Sequence, residues 1–542
     1  MGALAKRLLS DQSGAIAPVF ALALPMLIVA GGVSFDYARL AAMDSELQNA
    51  ADQAALAAAS QLDGLPGACL RANAVIRSLA AGGMVENDTL FANEVGGNRV
   101  VTIADEPSCD QTGNVRFYST AGRVAAGTDA AAKFIEVTIS ARTARYALTP
   151  VVGIFNSGAI AATALAGLGS AICKVPPLMM CNPDEASGSL DFNANGRKGS
   201  GMLLVEGGGG QWKAGNFGFL QTGLANGAAA LEYALGANAP LGNCIRADSV
   251  TTKPGENTSV TDAINTRFDI FENGLTADCA ESDGKCSPAL NTRKDVVRPE
   301  ITAGGRPGAG GGNALNCGFK TGTDPWDLPP SAFRYLPDPT TGVQSVLPYN
   351  MGLPRDICHA KSMDGSCTGG RLGDASWDRA TYLAVNHSAA GSVTALSNWA
   401  TANSVTWANI SRYDMYQAEI ATGLTGGRSA YTAGGPGNGN TTTYYSYSAP
   451  KCTPGLPPSS TQLDRRLTAI AVVNCQDQGV NGSAKGISVS KWVEIFLVEP
   501  SISRDRTRAG DIYVEIIKEI SVGNADSSGG QVTRRDVPYL VE

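Results

Sequence analysis

From Ala15 to Phe35 the chain runs AIAPVFALALPMLIVAGGVSF, 21 residues without a charge. At ~1.5 Å per helical residue this is enough to cross a hydrocarbon core of ~30 Å, so the run predicts a transmembrane helix. Lys6 and Arg7 precede it, whereas the far flank opens with Asp36 and soon adds Asp44 and Glu46. Because the basic flank stays inside, the sequence predicts a cytoplasmic N-terminus at 1–14, a single span of the inner membrane at 15–35, and a periplasmic remainder. A secretory signal shares the basic start and the apolar run. Its apolar core, however, is only ~7–15 residues long, and Ala30-Gly31-Gly32 makes a weak cleavage site.

The segment from Asp36 to Leu62, DYARLAAMDSELQNAADQAALAAASQL, is rich in strong helix formers and free of Gly and Pro. Leu40, Met43, Leu47, Ala50 or Ala51, Ala54 and Ala58 recur every three or four residues and form one stripe, the predicted helix packing interface. Asp44, Glu46, Gln48, Asn49 and Gln53 take much of the remainder. Toward its end the stripe narrows to alanines, which let a partner surface approach the backbone closely. That partner is either the chain's own next domain or another subunit, and the pattern fits both. Gly14 to Leu62 as one helix makes a rod of roughly 70 Å, with Pro18 and Pro25 as expected kinks. Residues 36–63 then read as a stalk that sets the following domain away from the membrane.

Cysteine usage agrees with an oxidising compartment. All twelve cysteines lie beyond residue 60, no CxxC pair occurs, and His359 and His387 are the only histidines, so metal or redox motifs lack their ligands. Disulfides are the better reading. Cys69 and Cys109 stand alone in the segment before residue 172, and pairing them closes a loop of about 40 residues, worth a few kcal/mol in the chain-entropy model. A formal charge of -7, with 17% charged residues and no block of Lys and Arg, excludes nucleic acid as a partner.

The expected fold class is α+β: a long N-terminal transmembrane and stalk helix, then a β-rich, disulfide-containing extracytoplasmic region. Residues 64–172 read as a first α/β domain, with strand-like runs at 99–103, 115–118 and 133–140. The apolar stretch Ala159 to Ala171 is short for a span and rich in Ala and Gly, so a buried helix or strand beside the long helix is expected. Residues 173–525 carry ten cysteines and most of the Gly and Pro, with irregular loops at 304–313 and 432–460. Leu467 to Val473, Ser488 to Val498 and Asp511 to Ile520 read as partly buried strands closing a sheet. Residues 526–542 are left as a terminal tail.

The combination SGAIAPVFALALPMLIVAGGVSFDYARLAAMDSELQNAADQAALAAAS, residues 13–60, closely resembles the N-terminal segment of TadG-like proteins of the Tad (Flp) pilus assembly system. Later pieces, VPPLMMCNP from Val175, WKAGNFGFLQTG from Trp212 and INTRFDIF from Ile264, look like the extracytoplasmic part of alphaproteobacterial relatives. The resemblance also places Cys475 just after the first of the C-terminal strands, and it carries no catalytic residues. Two departures count. The Asp-x-Ser-x-Ser loop of a von Willebrand A domain does not follow the span, so the type without that domain and without its metal site is expected. Gly14 sits where a prepilin peptidase would cut, but the fifth residue after it is Val19 rather than the Glu of polymerising pilins. The resemblance therefore implies a membrane-held assembly factor or minor component whose partners are other Tad/Flp proteins or minor pilins.

Catalytic motifs do not accumulate. Gly284-Lys285 lacks the rest of a phosphate-binding loop, and the glycines of VEGGGGQWK precede no helix-forming segment. Cys358-His359 places a thiol beside a base, but Cys367 is near enough to take Cys358 into a bridge. No GxSxG elbow occurs. Trp212, Phe217 and Phe219, interleaved with glycines, fit an aromatic strand packed in a core better than a sugar-stacking platform. The expectation is a protein that is not an enzyme, without cofactor or small-molecule substrate, packing through its N-terminal helix on other pilus components. The alternative is a tethered or secreted hydrolase or carbohydrate-binding adhesin.

Overall fold

The structure is a computed structural model and describes residues 16–81, 109–139, 141–144, 146, 157–173, 178–206, 215–221, 227–238, 245–246, 250–253, 258–272, 275, 279, 285–301, 317–321, 325–361, 367, 370–434, 441–452, 464–520 and 533–541. Gly14, the strand expected at 99–103, Trp212 and the loop at 304–313 lie outside them. The chain divides into two compact units, 1–169 with 536–542, and 170–535.

In the first unit one helix, α1, runs from Ile16 to Ala59 without interruption at Pro25. Its 44 residues span about 66 Å at ~1.5 Å each. The chain reverses through Gly64 and Gly67, both at positive φ, into α2 (Ala68–Ala81). The carboxylate of Asp129 accepts from the backbone N–H groups of Gly67 and Cys69, each at 2.9 Å, and these bonds hold it below the usual carboxylate range. Cys69 is joined to Cys109. Strands β1 (Val115–Tyr118), β2 (Phe134–Thr138) and β3 (Thr163–Cys173) pair antiparallel in that order. The next strand in the sheet is Thr533–Leu540, from the segment expected to be a tail.

The apolar stretch from Ala159 is thus a strand, and its small residues have a reason. A Cβ at Gly167 would stand 2.7 Å from the ring of Phe134, and one at Gly169 would stand 2.9 Å from that of Tyr539. Both rings lie across the strand where only glycine leaves room.

The sheet closes on the outer half of α1. Met43, Leu47, Ala51, Ala54, Ala55 and Ala58 are fully buried against Ala72, Val115, Phe117, Ile135, Val137, Ala164 and Ala166. The helix continues past the apolar span as expected, but it does not stand free as a stalk. The first unit is built around it from Leu40 onward, because alanines let sheet and helix backbones come close.

The second unit contains, in chain order, β4 (Leu178–Cys181), β5 (Gly201–Glu206), β6 (Asn216–Leu220), α3 (Ala228–Gly236), β7 (Ile245–Arg246), β8 (Thr252–Lys253), α4 (Thr258–Asn265) and β9 (Arg298–Ile301). There follow α5 (Ile357–Ala360), α6 (Arg379–Asn386), α7 (Ser392–Ala402), α8 (Arg412–Ala421), β10 (Arg428–Gly434), β11 (Thr441–Tyr447), β12 (Leu467–Val473), β13 (Lys491–Leu497) and β14 (Ile512–Glu519). Strands pair in the order β4-β12-β13-β14-β5-β6, and β6 pairs back onto β4, so six strands close into a barrel with β8 added outside on β6. Closure removes the exposed sheet edges that promote aggregation.

Alternate residues of each strand fill the interior: Leu178 and Met180, Met202 and Leu204, Phe217 and Phe219, Ile470 and Val472, Val493 and Ile495, Ile512 and Val514. The outward set is also covered, with Tyr513, Phe496 and Leu203 packing against Met415, Tyr416 and Leu396 from the helices. Both faces being buried explains why DIYVEIIKEI does not alternate cleanly in hydrophobicity.

Disulfides Cys181–Cys475, Cys279–Cys286, Cys317–Cys452 and Cys358–Cys367 pin the unit, and Cys475 follows β12 closely. The stretch 432–460, expected to be irregular, instead carries most of a hairpin. β10 pairs with β11 antiparallel from Arg428↔Tyr447 to Gly434↔Thr441, and β11 pairs with β9. The Thr and Tyr residues of TTTYYSY favour a pleated surface more strongly than the surrounding Gly and Pro suggested.

A Cβ at Gly373 would collide with the carboxylate of Asp356, and one at Gly201 with the hydroxyl of Tyr513. Gly373→Ala and Gly201→Ala are each expected to lower stability by about 1–3 kcal/mol. The check is a lower midpoint of chemical denaturation for the second unit, with the first unit unchanged.

Candidate functional site

Two features of the molecule carry chemistry beyond ordinary packing. The first is the inner half of α1. Leu22 is 76% exposed and Met26 77%, and Val19, Phe20, Leu27, Ile28 and Phe35 are likewise open, whereas Met43 and Leu47 are at 0%. An apolar surface this long and this contiguous is stable only against hydrocarbon or another apolar surface. Where it ends, Asp36 is buried while Phe35 and Tyr37 remain exposed. The Arg39 guanidinium lies 3.8 Å from Asp36 and 5.8 Å from the centre of the Phe35 ring. Tyr37 presents the amphipathic ring typical of a membrane–water boundary.

Of the predicted interface, Met43, Leu47, Ala51, Ala54 and Ala58 are fully buried in the chain's own first unit, and Leu40 and Ala50 pack on its margin. Of the two partners left open by the sequence, the structure supplies the intramolecular one. Gln48 reinforces the contact, its amide donating to Asp52 at 2.9 Å and to the Thr163 carbonyl at 3.3 Å. Glu46 has one carboxylate oxygen enclosed without a hydrogen-bond partner, and burial pushes the group up. The choice of partner was not legible because a stripe of alanines describes a distance of approach and not what approaches. Ala54→Leu and Ala58→Leu are therefore expected to overpack the first unit and cost about 1–3 kcal/mol each. Thermal unfolding and steady-state protein level should both fall.

The second feature is the polar layer between the barrel and its helices. Arg412, fully buried, reaches Asp356 at 2.6 Å and Glu515 at 2.9 Å, both also fully buried. Asp356 accepts from the backbone N–H groups of Gly201 and Ala375. Glu515 accepts from those of Arg412 and Tyr413 in the first turn of α8, where Ser411 supplies the N-cap bond to Asp414. Burial opposes the Arg412 charge, but the two carboxylates more than offset it and raise the group further. Burial pushes Glu515 up, against Arg412 and the two N–H donors.

His359 is held between the Tyr513 hydroxyl and the Gly370 carbonyl, each at 2.9 Å, and burial lowers it so that the ring is neutral. Its neighbour Cys358 is consumed in the disulfide with Cys367. Phe217 and Phe219 face the barrel interior, edge to face at 6.0 Å, as core residues. His387 meets Glu419 at 2.6 Å, and the same carboxylate accepts from Tyr382 at 2.5 Å.

None of these pairs was read from sequence, since Arg412 and Glu515 stand 103 positions apart. The Ser411-x-x-Asp414 spacing was the one local signal, and it marks only the start of α8. Burial alone would push Glu419 up, but Arg293, His387 and Tyr382 together hold it below the usual glutamate range. A depressed carboxylate stabilises the fold above its unfolded value and loses that contribution as pH falls through the folded one. Stability is expected to drop as the medium is acidified below pH 4.5, and Glu419→Gln to flatten that slope in pH-dependent denaturation.

An exposed apolar helix leading into a disulfide-bonded body defines a protein of the membrane-anchored class. Among the described residues one helix is long and apolar enough to cross a bilayer. Residues 14–61, the segment that carries the apolar span, match the family described as putative Flp pilus-assembly TadE/G-like. No curated protein and no solved structure matches the chain.

Proposed function

We propose that the protein is a non-enzymatic component of Tad/Flp pilus biogenesis, held in the inner membrane by the first half of α1 with its two units on the periplasmic side. The orientation follows from Lys6 and Arg7 before the span and Asp36, Asp44 and Glu46 after it. Disulfides on the far side of the span accord with it. The observation that carries the reading is the coincidence of the family match at 14–61 with the helix that is bare in its first half and enclosed in its second.

The enclosed half builds the protein's own domain. The bare half, from Val19 to Phe35, is therefore the surface left to pack laterally on other membrane-embedded pilus components or minor pilins. Because the first unit begins where the apolar surface ends, its position is fixed by the bilayer itself. Tyr37 and Arg39 stand at that level. The packed polar layer favours the non-enzymatic reading, since the hydrogen bonds of His359 and His387 go to Tyr513, Gly370 and Glu419 and to no serine or thiol.

The test is replacement. Deleting the gene is expected to abolish filaments while other pilus components still accumulate, and the intact chain to restore them. A chain whose residues 15–35 are exchanged for an unrelated transmembrane helix should insert normally yet fail to restore piliation. Full piliation by that chimera would reduce the helix to a mere anchor, and piliated deletion cells would remove the assembly role.

A further inference from the structure

Strand β10 leaves the backbone on one of its two sides without hydrogen-bond partners among the described residues. In the sheet of β9, β10 and β11 it is an outer strand, paired with β11 alone. The Ser448 N–H donates to the Gly427 carbonyl in the same register, so every second residue from there, Ser429, Tyr431 and Ala433, bonds to β11. Pro299, which has no N–H to give, stands opposite Tyr444 on the far side of β11, as that alternation requires. Arg428, Ala430 and Thr432 therefore turn their N–H and C=O groups outward, and all three residues are exposed.

An edge of this kind is ordinarily guarded by proline, lysine or a bulge. None guards β10: its register from Arg428 to Gly434 is unbroken, and RSAYTAG contains neither Pro nor Lys. Its one charge, Arg428, lies over the Tyr445 ring at 4.3 Å on one face of the sheet. On the opposite face Tyr349 stacks on Tyr431 at 4.3 Å. Tyr349 belongs to the loop that carries Val343, Val346 and Leu347, all four more than half exposed, and no charged residue occurs from 339 to 354. The unpaired backbone thus runs beside an apolar patch, and a single occupant can cover both.

A second copy of the chain does so by symmetry. Edge strands related by a two-fold axis run antiparallel, and the axis is normal to the sheet, so both apolar loops come to the same face. With the axis at Ala430, Arg428 stands opposite the partner's Thr432, and Ser429 opposite the partner's Tyr431. Only Ala430 meets itself, its methyl leaves room, and no like charges are brought together. Each outward residue then exchanges both backbone bonds with its counterpart. An extended segment of another protein would take up the same bonds but supply no matching loop. We infer that β10 joins two copies of this chain edge to edge, continuing the small sheet across a two-fold axis with the 343–349 loops side by side. Copies anchored by α1 in one bilayer meet at high effective concentration, so a single-strand seam suffices, and this step alone rests on the anchoring proposed above.

No free cysteine occurs among the described residues, so a single introduced thiol reports contact directly. In membranes containing the full-length chain, mild copper oxidation of the Ala430→Cys variant is expected to give a disulfide-linked homodimer. Directly paired residues that exchange both bonds lie ~5.5 Å apart at Cα, within disulfide reach. Leu190→Cys, exposed elsewhere in the same unit, should stay monomeric. Adding Thr432→Pro to Ala430→Cys removes an outward N–H and none that β11 uses. The dimer should then fall about tenfold, the effect of one lost bond per copy, while the unfolding midpoint of the second unit holds. Should that midpoint drop, Val346→Asp with Leu347→Asp decides, since both positions are exposed and the like charges they bring together across the axis should lower the dimer as well. Retention in carbonate-washed membranes reads the anchor separately. No dimer from Ala430→Cys, an equal one from Leu190→Cys, or a dimer indifferent to the deciding substitutions would overturn the inference. A covalent product with a different protein would overturn it in favour of a foreign strand.

Discussion

Arg412 carries a full charge where water cannot reach it, and much of the second unit is arranged around that fact. An ion taken out of water costs several kcal/mol even after relaxation, and only close partners with their own remaining bonds satisfied make such burial tolerable. Asp356 and Glu515 meet the guanidinium, and four backbone N–H groups, from Gly201, Ala375, Arg412 and Tyr413, balance the second negative charge. These contacts come from two barrel strands, β5 and β14, the loop before α5, the loop before α6 and the first turn of α8. The set ties the helical layer to the barrel. Tyr513 extends it, accepting from the Asp356 N–H and meeting His359. The glycines at 201 and 373 are the space this arrangement occupies.

A different constraint governs the first unit. One helix has to satisfy two environments in succession, hydrocarbon along its first half and a protein core along its second. Large apolar side chains face outward in the first, and in the second alanines admit a sheet to within backbone distance. Because the helix does not break between them, the folded unit inherits its place and orientation from the membrane-spanning part. A glycine-studded strand on the far side of β2, crossed by the rings of Phe134 and Tyr539, follows the same close-packing logic.

Legibility followed the range of the interactions concerned. The apolar span, the continuing helix, the strands at 115–118 and 134–138 and the three C-terminal strands are set by local pattern, and all are present. The hairpin at 428–447 was obscured by Gly and Pro, which mark turns well but hide short strands between them. The barrel was not legible. Its closure depends on β4 pairing in parallel with β12, nearly three hundred positions later, and a strand buried on both faces shows no alternation to betray which sheet it joins.

Sequence alone determined the apolar span and the helix that continues from it, because transfer of apolar and charged groups between water and hydrocarbon is decided residue by residue. Tertiary structure decided that the alanine stripe serves the protein's own domain, that the terminal strands close a barrel instead of an open sheet, and that Arg412, Asp356 and Glu515 meet. Those outcomes depend on which surfaces are near one another after folding, and on the desolvation of groups that are solvated wherever the chain is extended. The anchor is therefore a property of composition over some twenty residues, while the site and the core are properties of contact.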